Sequence, residues 1–553
     1  MKKSNFMKPF LPLISFLLLW AYGHILGQAQ RRAIIEHLQG HVSYLSCDSL
    51  AGRATGSKGE HRAALYLARH LRAYEVQPFG DRKTYFQHIP MHGSKPLAST
   101  HILLTNGSAQ KKLHIERDFL LFKSGAQTFL PKATPLVFVG YGISAPEYDY
   151  NDYQTVNVQG KIVVFLPGEP LSSDETYFNG SAPTVYSYPE SKQRTAIAHG
   201  AIGSILLHIP NRPSALPWAH YRQAFSFEDV TLAYRVTGNL SVLLNATHFV
   251  AEFLFRGCDY SLEEILQMAA NHTMRSFALK TQLQFSGQFA ERDFVSQNVV
   301  GLLPANVLFP KDEYVIVSAH YDHLGIGLPV KGDSIYNGAM DNAMGTAGAL
   351  ELARILQASS QKRKRHLLFL FVTGEEKGLL GSTYYTDHPR VPLFKTSADV
   401  NIDGLAMFDT FNDVVGVGAE YSTLGLLLQK VAQEDSLSSS PVPPQFLQYE
   451  SFARSDQMAF AWAGIPSILI MDGLNYRHLT FGEGLQKWLS WNREIYHSPF
   501  DDMHQPVCWQ AAAQHVQFLA RFVRTLLNSN REIVWKDGLP FKNIRLQTIA
   551  EQR

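Results

Sequence analysis

Apolar residues along this chain fall into short unbroken runs and into helical stripes. "EYVIVSAH", "RHLLFLFV" and "IPSILIMD" are continuous runs of strand length, the pattern of strands buried on both faces. "SADVNIDG" reads as a further strand of the same set. Between and after them come stripes at helical spacing. "DNAMGTAGALELARILQAS" places Ala349, Leu352, Ala353 and Leu356 on one face, and "AAAQHVQFLARFVRTLLNS" closes the series. Nearer the start, "EHRAALYLARHLRA" does the same with Ala64, Leu67, Ala68 and Leu71. Strands alternating with helices predict an α/β unit, a mostly parallel sheet flanked by helices. From about Pro135 to Gln288 the texture changes. "PLVFVGYG", "KIVVFLPG" and "IGSILLHIP" are short β-rich runs separated by turn residues, with "KQRTAIAHGA" a short helix among them. This predicts an inserted β-rich domain. The expected organisation is a leader over 1–29, the first part of the α/β unit over 30–130, the insertion over 131–290, the rest of the α/β unit over 291–528, and a tail over 529–553.

The leader follows from the N-terminus itself. Lys2, Lys3 and Lys8 precede or flank an apolar stretch from Pro9 to Leu26, and small residues Gly27 and Ala29 follow. That is the pattern of a secretory signal peptide cut near Ala29, which predicts a secreted or periplasmic protein. An uncleaved N-terminal anchor is the alternative, although Tyr22, Gly23 and His24 interrupt the stretch. No stable membrane association is expected after cleavage. The net charge of +2 over 553 residues gives no global pull toward nucleic acid or an anionic surface. The basic run Lys362 to Arg365 reads as a solvated loop. Three widely spaced cysteines, Cys47, Cys258 and Cys508, exclude a disulfide scaffold and a cysteine metal site.

In parallel α/β sheets ligands bind beyond the carboxyl ends of the strands. Here those ends carry chemistry. His320 and Asp322 end one strand in "SAHYDHLG", and Asp341 stands before the next helix in "NGAMDNAMG". Glu375 and Glu376 follow "FLFVTG", Asp403 ends "NIDG", and His497 lies in "YHSPFDD". Singly each is unremarkable: a hydrogen-bonded histidine, a turn or cap, a solvated pair of glutamates at a helix start. Together, at successive strand ends, two imidazoles and several carboxylates suit zinc.

The order His-x-Asp, Asp-Asn, Glu-Glu, Asn-x-Asp and a late Tyr-His resembles the M28 family of zinc-dependent metallo-aminopeptidases. The inserted unit is similar to the protease-associated (PA) domain that some members carry. The resemblance runs from about Asp48, in "DSLAGRATGSKGEH", to about Leu527. It implies a zinc-peptidase-like fold and two zinc ions per chain sharing Asp341. His320 and Asp403 would complete one coordination sphere, and Glu376 and His497 the other. Asp322 would hold the His320 imidazole, Glu375 would be the general base, and the Asp341–Asn342 peptide would be cis. The implied activity is removal of N-terminal residues from peptides. Within the same fold, a single-zinc glutaminyl cyclase-like enzyme or a non-enzymatic binding protein are the alternatives, and the complete ligand set argues against both.

Some positions depart from the family pattern. Met340 and Met344 flank the Asp341 segment where Asp and Ser are common, and "RSDQMAF" carries Gln457 where the family has His. The long aromatic stretch "GLNYRHLTFGEGLQKWLSWNREIYH" offers Tyr476, Phe481, Trp488 and Trp491 as walls of a side-chain pocket or as loop packing. His323, one residue past Asp322, is placed to touch substrate, whereas His478 and His504 read as surface or structural residues.

Overall fold

The computed structural model describes residues 11–125, 128, 130–180, 183–210, 216–236, 238–447 and 452–550. Residues 1–10 of the expected leader lie outside them. The helices include α1 (Leu11–Leu45), α2 (Lys58–Ala73), α3 (Gly345–Ala358), α4 (Phe481–Glu494) and α5 (Trp509–Asn528). No helix among the described residues is long and apolar enough to cross a membrane. Helix α2 starts where the Ser57 side chain accepts the Glu60 N–H, and α4 starts with a reciprocal Thr480–Glu483 box.

The principal sheet has ten strands: β1 (Gln77–Pro78), β2 (Phe86–Pro96), β3 (Asp229–Leu232), β4 (Phe289–Leu303), β5 (Tyr314–His320), β6 (His366–Val372), β7 (Thr396–Asn401), β8 (Asp413–Val417), β9 (Ser438–Ser440) and β10 (Ser467–Asp472). Their order is β3-β2-β4-β6-β5-β7-β10-β8-β9, with β1 on β4. The expected parallel character belongs to the centre, where β6, β5, β7 and β10 run parallel. Both flanks contain antiparallel pairs, so the whole sheet is mixed.

The unbroken apolar runs now have a physical cause. In β6, Leu367, Phe369 and Phe371 pack under α1, α3 and α5, while Leu368, Leu370 and Val372 pack with Tyr385 and Phe460 on the opposite face. Both faces are buried, so no alternation survives.

The insertion is a second, eight-stranded sheet with its own core of Ile102, Leu136, Ile162 and Val242 among others. Its sheet also takes in strands that precede residue 131. The strands His101–Asn106, Ala109–His114 and Phe119–Leu121 belong to it. Their assignment was hidden because Thr105 pairs with Gln282, far along the chain, and "AQKKLH" is too polar to read as a strand by itself. The two units share more than a pair of linkers. β2 leads out and β4 returns, paired from Phe86 to Pro96, and β3 comes back from inside the insertion to pair with the outer edge of β2.

The stretch from Ser529 is no loose tail. Trp535 and Phe541 are buried, the Trp535 indole N–H donates to the Gly464 carbonyl at 2.9 Å, and Pro540–Ala550 is a helix. All three cysteines are free thiols.

Candidate metal centre

The strand ends deliver their polar residues to one edge of the sheet. β5 ends at His320, which is 1% exposed, and Thr346 of α3 donates its hydroxyl to the His320 carbonyl at 2.6 Å. β6 gives way to Gly374 in the left-handed region (φ 67°), which turns the chain so that Glu375 and Glu376 follow directly. Asp403 comes two residues after β7, and His497 follows α4 at φ 53°. Asp341 sits in the irregular segment before α3, and its peptide to Asn342 is cis.

The two oxygens of Asp341 face two different groups. Oδ1 is 3.3 Å from His320 Nε2, which is itself 3.3 Å from Asp403 Oδ1. Oδ2 is 3.1 Å from His497 Nε2, which is 3.2 Å from Glu376 Oε2. Bonds of ~2.0–2.2 Å to a tetrahedral ion place neighbouring ligand atoms ~3.3–3.6 Å apart, close to these separations. Asp341 Oδ2 and His497 Nε2 are buried without a hydrogen-bond partner, as two ligand atoms aimed at a common point would be. His320, Asp341 and Asp403 can therefore hold one cation. His323, Asp341 and Glu376 form a second group that could hold a cation, and His497 Nε2 lies within 3.2 Å of Asp341 Oδ2 and Glu376 Oε2 beside it.

The electrostatics lead the same way. Burial opposes a charge on His320, but Glu375 and Asp403 outweigh it and keep the imidazole protonated well above its usual range. Burial likewise opposes His497, yet Glu376 and Asp341 push it up to about 10. Against burial, His320 and His497 hold Asp341 well below the usual carboxylate range. Burial raises the Glu375 carboxyl, with His320 resisting and Glu376 adding to the rise. A cluster of buried carboxylates is demanding positive charge, and divalent cations satisfy that demand.

Residues 298–523 match the family model described as Peptidase family M28. These residues belong to that family. Aminopeptidase YwaD of Bacillus subtilis (strain 168) is 36% identical over 110 residues, 20% of this chain and 21% of that protein. The vacuolar membrane protease of Saccharomyces cerevisiae (strain ATCC 204508 / S288c) is 28% identical over 159 residues, 26% of this chain and 15% of that protein. The matched stretches thus span about a fifth or less of these curated relatives. Among solved structures, the aminopeptidase from Aneurinibacillus sp. strain AM-1 shares the fold: TM-score 0.53 at 18% identity, covering 89% of this chain and 93% of that one.

Within the M28 domain two residues, Asp322 and His323, sit differently from expectation. The Asp322 carboxylate faces His320 only at the long range of an ion pair. The imidazole Nδ1 meets the Asp322 backbone carbonyl at 3.2 Å, with the nearest carboxylate oxygen at 3.7 Å. That carboxylate instead accepts the Thr55 hydroxyl (3.1 Å) and the Glu375 N–H (3.2 Å), so it braces the turn that carries Glu375. His323 points inward rather than toward substrate: it is fully buried, with Nδ1 2.7 Å from Glu376 Oε1. Gln457, in the histidine position, is buried and accepts an N–H from Asn401 at 2.8 Å. His478 and His504 are exposed, each beside an aspartate.

Sequence reading also missed the groups that hold the ligand loops in place. The two carboxylate oxygens of Asp501 accept the N–H groups of Met340 and Asp341 at 2.8 and 3.0 Å. Asn342 Oδ1 accepts from Gly404, beside Asp403, at 2.8 Å. Arg53, wholly buried, donates to the carbonyls of Tyr321 (2.8 Å), Asn337 (2.7 Å), Gly338 (2.9 Å) and Leu45. Only the adjacency of Asp501 to the His497 motif offered a signal.

A cavity of roughly 200 Å³ opens from Asp341, Glu375 and Asp403. Trp488 and Trp491 of α4 line it, so the pocket reading holds for them. Phe481 is 54% exposed, and Tyr476 packs behind the lining, its hydroxyl 3.0 Å from Asp472 Oδ2.

Proposed function

We propose that the protein is a metal-dependent aminopeptidase that removes N-terminal residues from peptides, with two zinc ions per chain. The observation that carries this is Asp341, whose two oxygens face two separate ligand groups. In this reading His320 and Asp403 would hold one ion, Glu376 and His497 the other, and Asp341 would serve both. A site of imidazole and carboxylate donors in tetrahedral spacing suits zinc. Sharing Asp341 favours two ions over the single-ion cyclase alternative. When bound, the ions supply Lewis-acid polarisation of the scissile carbonyl and lower the pKa of water.

The chain's own part centres on Glu375, whose Oε2 is 4.0 Å from His320 Nε2. Its carboxylate takes a proton from the attacking water as the oxygen bonds to the carbonyl carbon. It returns that proton to the leaving nitrogen as the C–N bond breaks. Burial raises the Glu375 carboxyl, and bound cations beside it would lower it again. Asp322 keeps Glu375 in place through the backbone N–H of its turn. The adjacent glutamates thus divide the work: Glu376 as ligand, Glu375 as proton carrier.

We also read residues 1–29 as a secretory leader. Along α1 residues 28–32 are exposed, and among the described side chains the first in the core is Ile34.

The test is Glu375→Gln in zinc-loaded protein, assayed on N-terminally free peptides. Metal content should be unchanged and kcat should fall at least about a hundredfold. Turnover near that of the parent protein would overturn the assignment.

A further inference from the structure

The geometry points to a basic N-terminal residue, arginine or lysine, as the preferred substrate, with Asp472 as the counter-charge for its side chain. This rests on the aminopeptidase reading above. The cavity beside the metal ligands is walled by Met407, Leu469, Met471, Trp488 and Trp491. Asp472, the last residue of β10, lines the same cavity and a smaller one behind it. So a largely apolar pocket that also touches Asp341, Glu375 and Asp403 has an aspartate among its lining residues.

That carboxylate lacks a counter-charge. Its hydrogen-bonding partner is the Tyr476 hydroxyl, and the nearest charge that acts on it is another carboxylate, Asp413. Among the described residues no lysine, arginine or histidine pairs with it. His515, also in the lining, is occupied at both nitrogens: Nδ1 accepts the Ala406 N–H and Nε2–H donates to the Ile470 carbonyl, both at 3.1 Å. It is neutral there. Arg454 also lines the cavity but is exposed, and its charge acts on Tyr496 rather than on Asp472. Burial and Asp413 together push Asp472 up to about 7, consistent with an acid that no cation supports.

A long methylene stem ending in a cation fits such a pocket. The stem covers the methionine and leucine walls, the cation can lie over an indole face, and the head reaches Asp472. A leucyl side chain would fill the walls and leave Asp472 without a cation, which disfavours it.

The test uses zinc-loaded, full-length protein and the p-nitroanilides of arginine, lysine, norleucine and leucine. Arginyl and lysyl substrates should exceed norleucyl in kcat/KM by at least tenfold, mostly through KM. Asp472→Asn should reduce that ratio at least tenfold, and Asp472→Glu should restore part of it. Melting temperature and zinc content identify any variant that fails to fold, in which case the parent protein's ratio decides. A ratio at or below one in the parent protein overturns the assignment. So does an equal loss on all four substrates in Asp472→Asn, which would mean that the acid binds the α-amine. Hydrolysis of none of the four would overturn the aminopeptidase reading together with this one.

Discussion

Arg53 is the residue whose loss should be felt furthest from its own position. Its guanidinium is fully buried and donates to four backbone carbonyls on three segments: the end of α1, the His320–Asp322 strand end, and the loop leading to Asp341. Burial pulls its pKa down to about 10 while Asp322, Asp501, Asp341 and Glu376 pull it back, so it is charged at neutral pH. Consider Arg53→Lys. The charge is kept, but a single ammonium cannot reach four carbonyls that a planar fork spans. If two carbonyls lose their donor, each buried acceptor left unpaired costs about 1–3 kcal/mol, together about 4 kcal/mol. An unfolding entropy of ~2 cal/mol/K per residue converts this, for a unit of this size, into a fall in Tm of about 4–8 °C. Because Tyr321 and Gly338 flank ligand residues, kcat measured well below the transition should also fall by about tenfold. Differential scanning calorimetry and steady-state kinetics at 25 °C read the two effects. A variant melting within 1 °C of the parent with unchanged kcat would refute the idea of a clamp. A lower Tm with full kcat would reduce Arg53 to a stability element.

Gly338 stands at φ 60°, and a Cβ there would lie 2.3 Å from the Asp341 carbonyl and 2.5 Å from the His323 ring. Gly338→Ala should therefore weaken zinc retention at least about tenfold in a chelator competition, and unchanged retention would count against rigid placement of Asp341. His323→Phe removes the donor beside Glu376 and should cost about 10–100-fold in metal affinity; an equal affinity would show that Glu376 needs no such support. His515 is buried and neutral, its pKa pushed down to about 4 by burial. Below its ordinary value of ~6.5 the unfolded chain binds a proton that the native state refuses, so this contribution to stability is intact above that pH and lost as pH falls toward 4. At pH 5 the loss is about 2 kcal/mol, so the stability gap between the parent protein and His515→Gln should narrow by that amount from pH 7 to 5 in urea titrations; a constant gap would refute it.

What could be read in advance divides by the range of the interaction. The β6 run from Leu367 to Val372 and the α2 stripe from Ala64 to Leu71 are local patterns, and both elements formed where they were expected. The gathering of histidines and carboxylates at the strand ends was legible for a related reason. Parallel strands bring their ends together whatever lies between them, so residues after β5, β6 and β7 had to meet. Arg53 gave no such signal, and Asp501 and His323 gave only their adjacency to the motifs, because each acts on a segment that only the finished fold brings near. The antiparallel flanks were hidden in the same way: β3 is a four-residue strand whose partner β2 lies far back in sequence. Asp322 shows a finer limit. Its place in the motif was clear, but which of its oxygens faces the imidazole depends on the turn of β6 beside it.

The return of β3 onto β2 bears on how this protein could be trimmed. Excising the insertion at its two linkers looks simple, since β2 and β4 would still pair. Yet Asp229–Leu232 covers the edge of β2 from Met91 to Ser94. Without it, a long strand would present bare N–H and C=O groups to solvent, together with Ile89 and Met91, which Val230 and Leu232 now cover. Such an edge is a template for pairing with another molecule. A shortened protein would therefore aggregate through β2 unless the design kept a strand equivalent to β3. The insertion is thus an edge guard for its host as well as a neighbour to it.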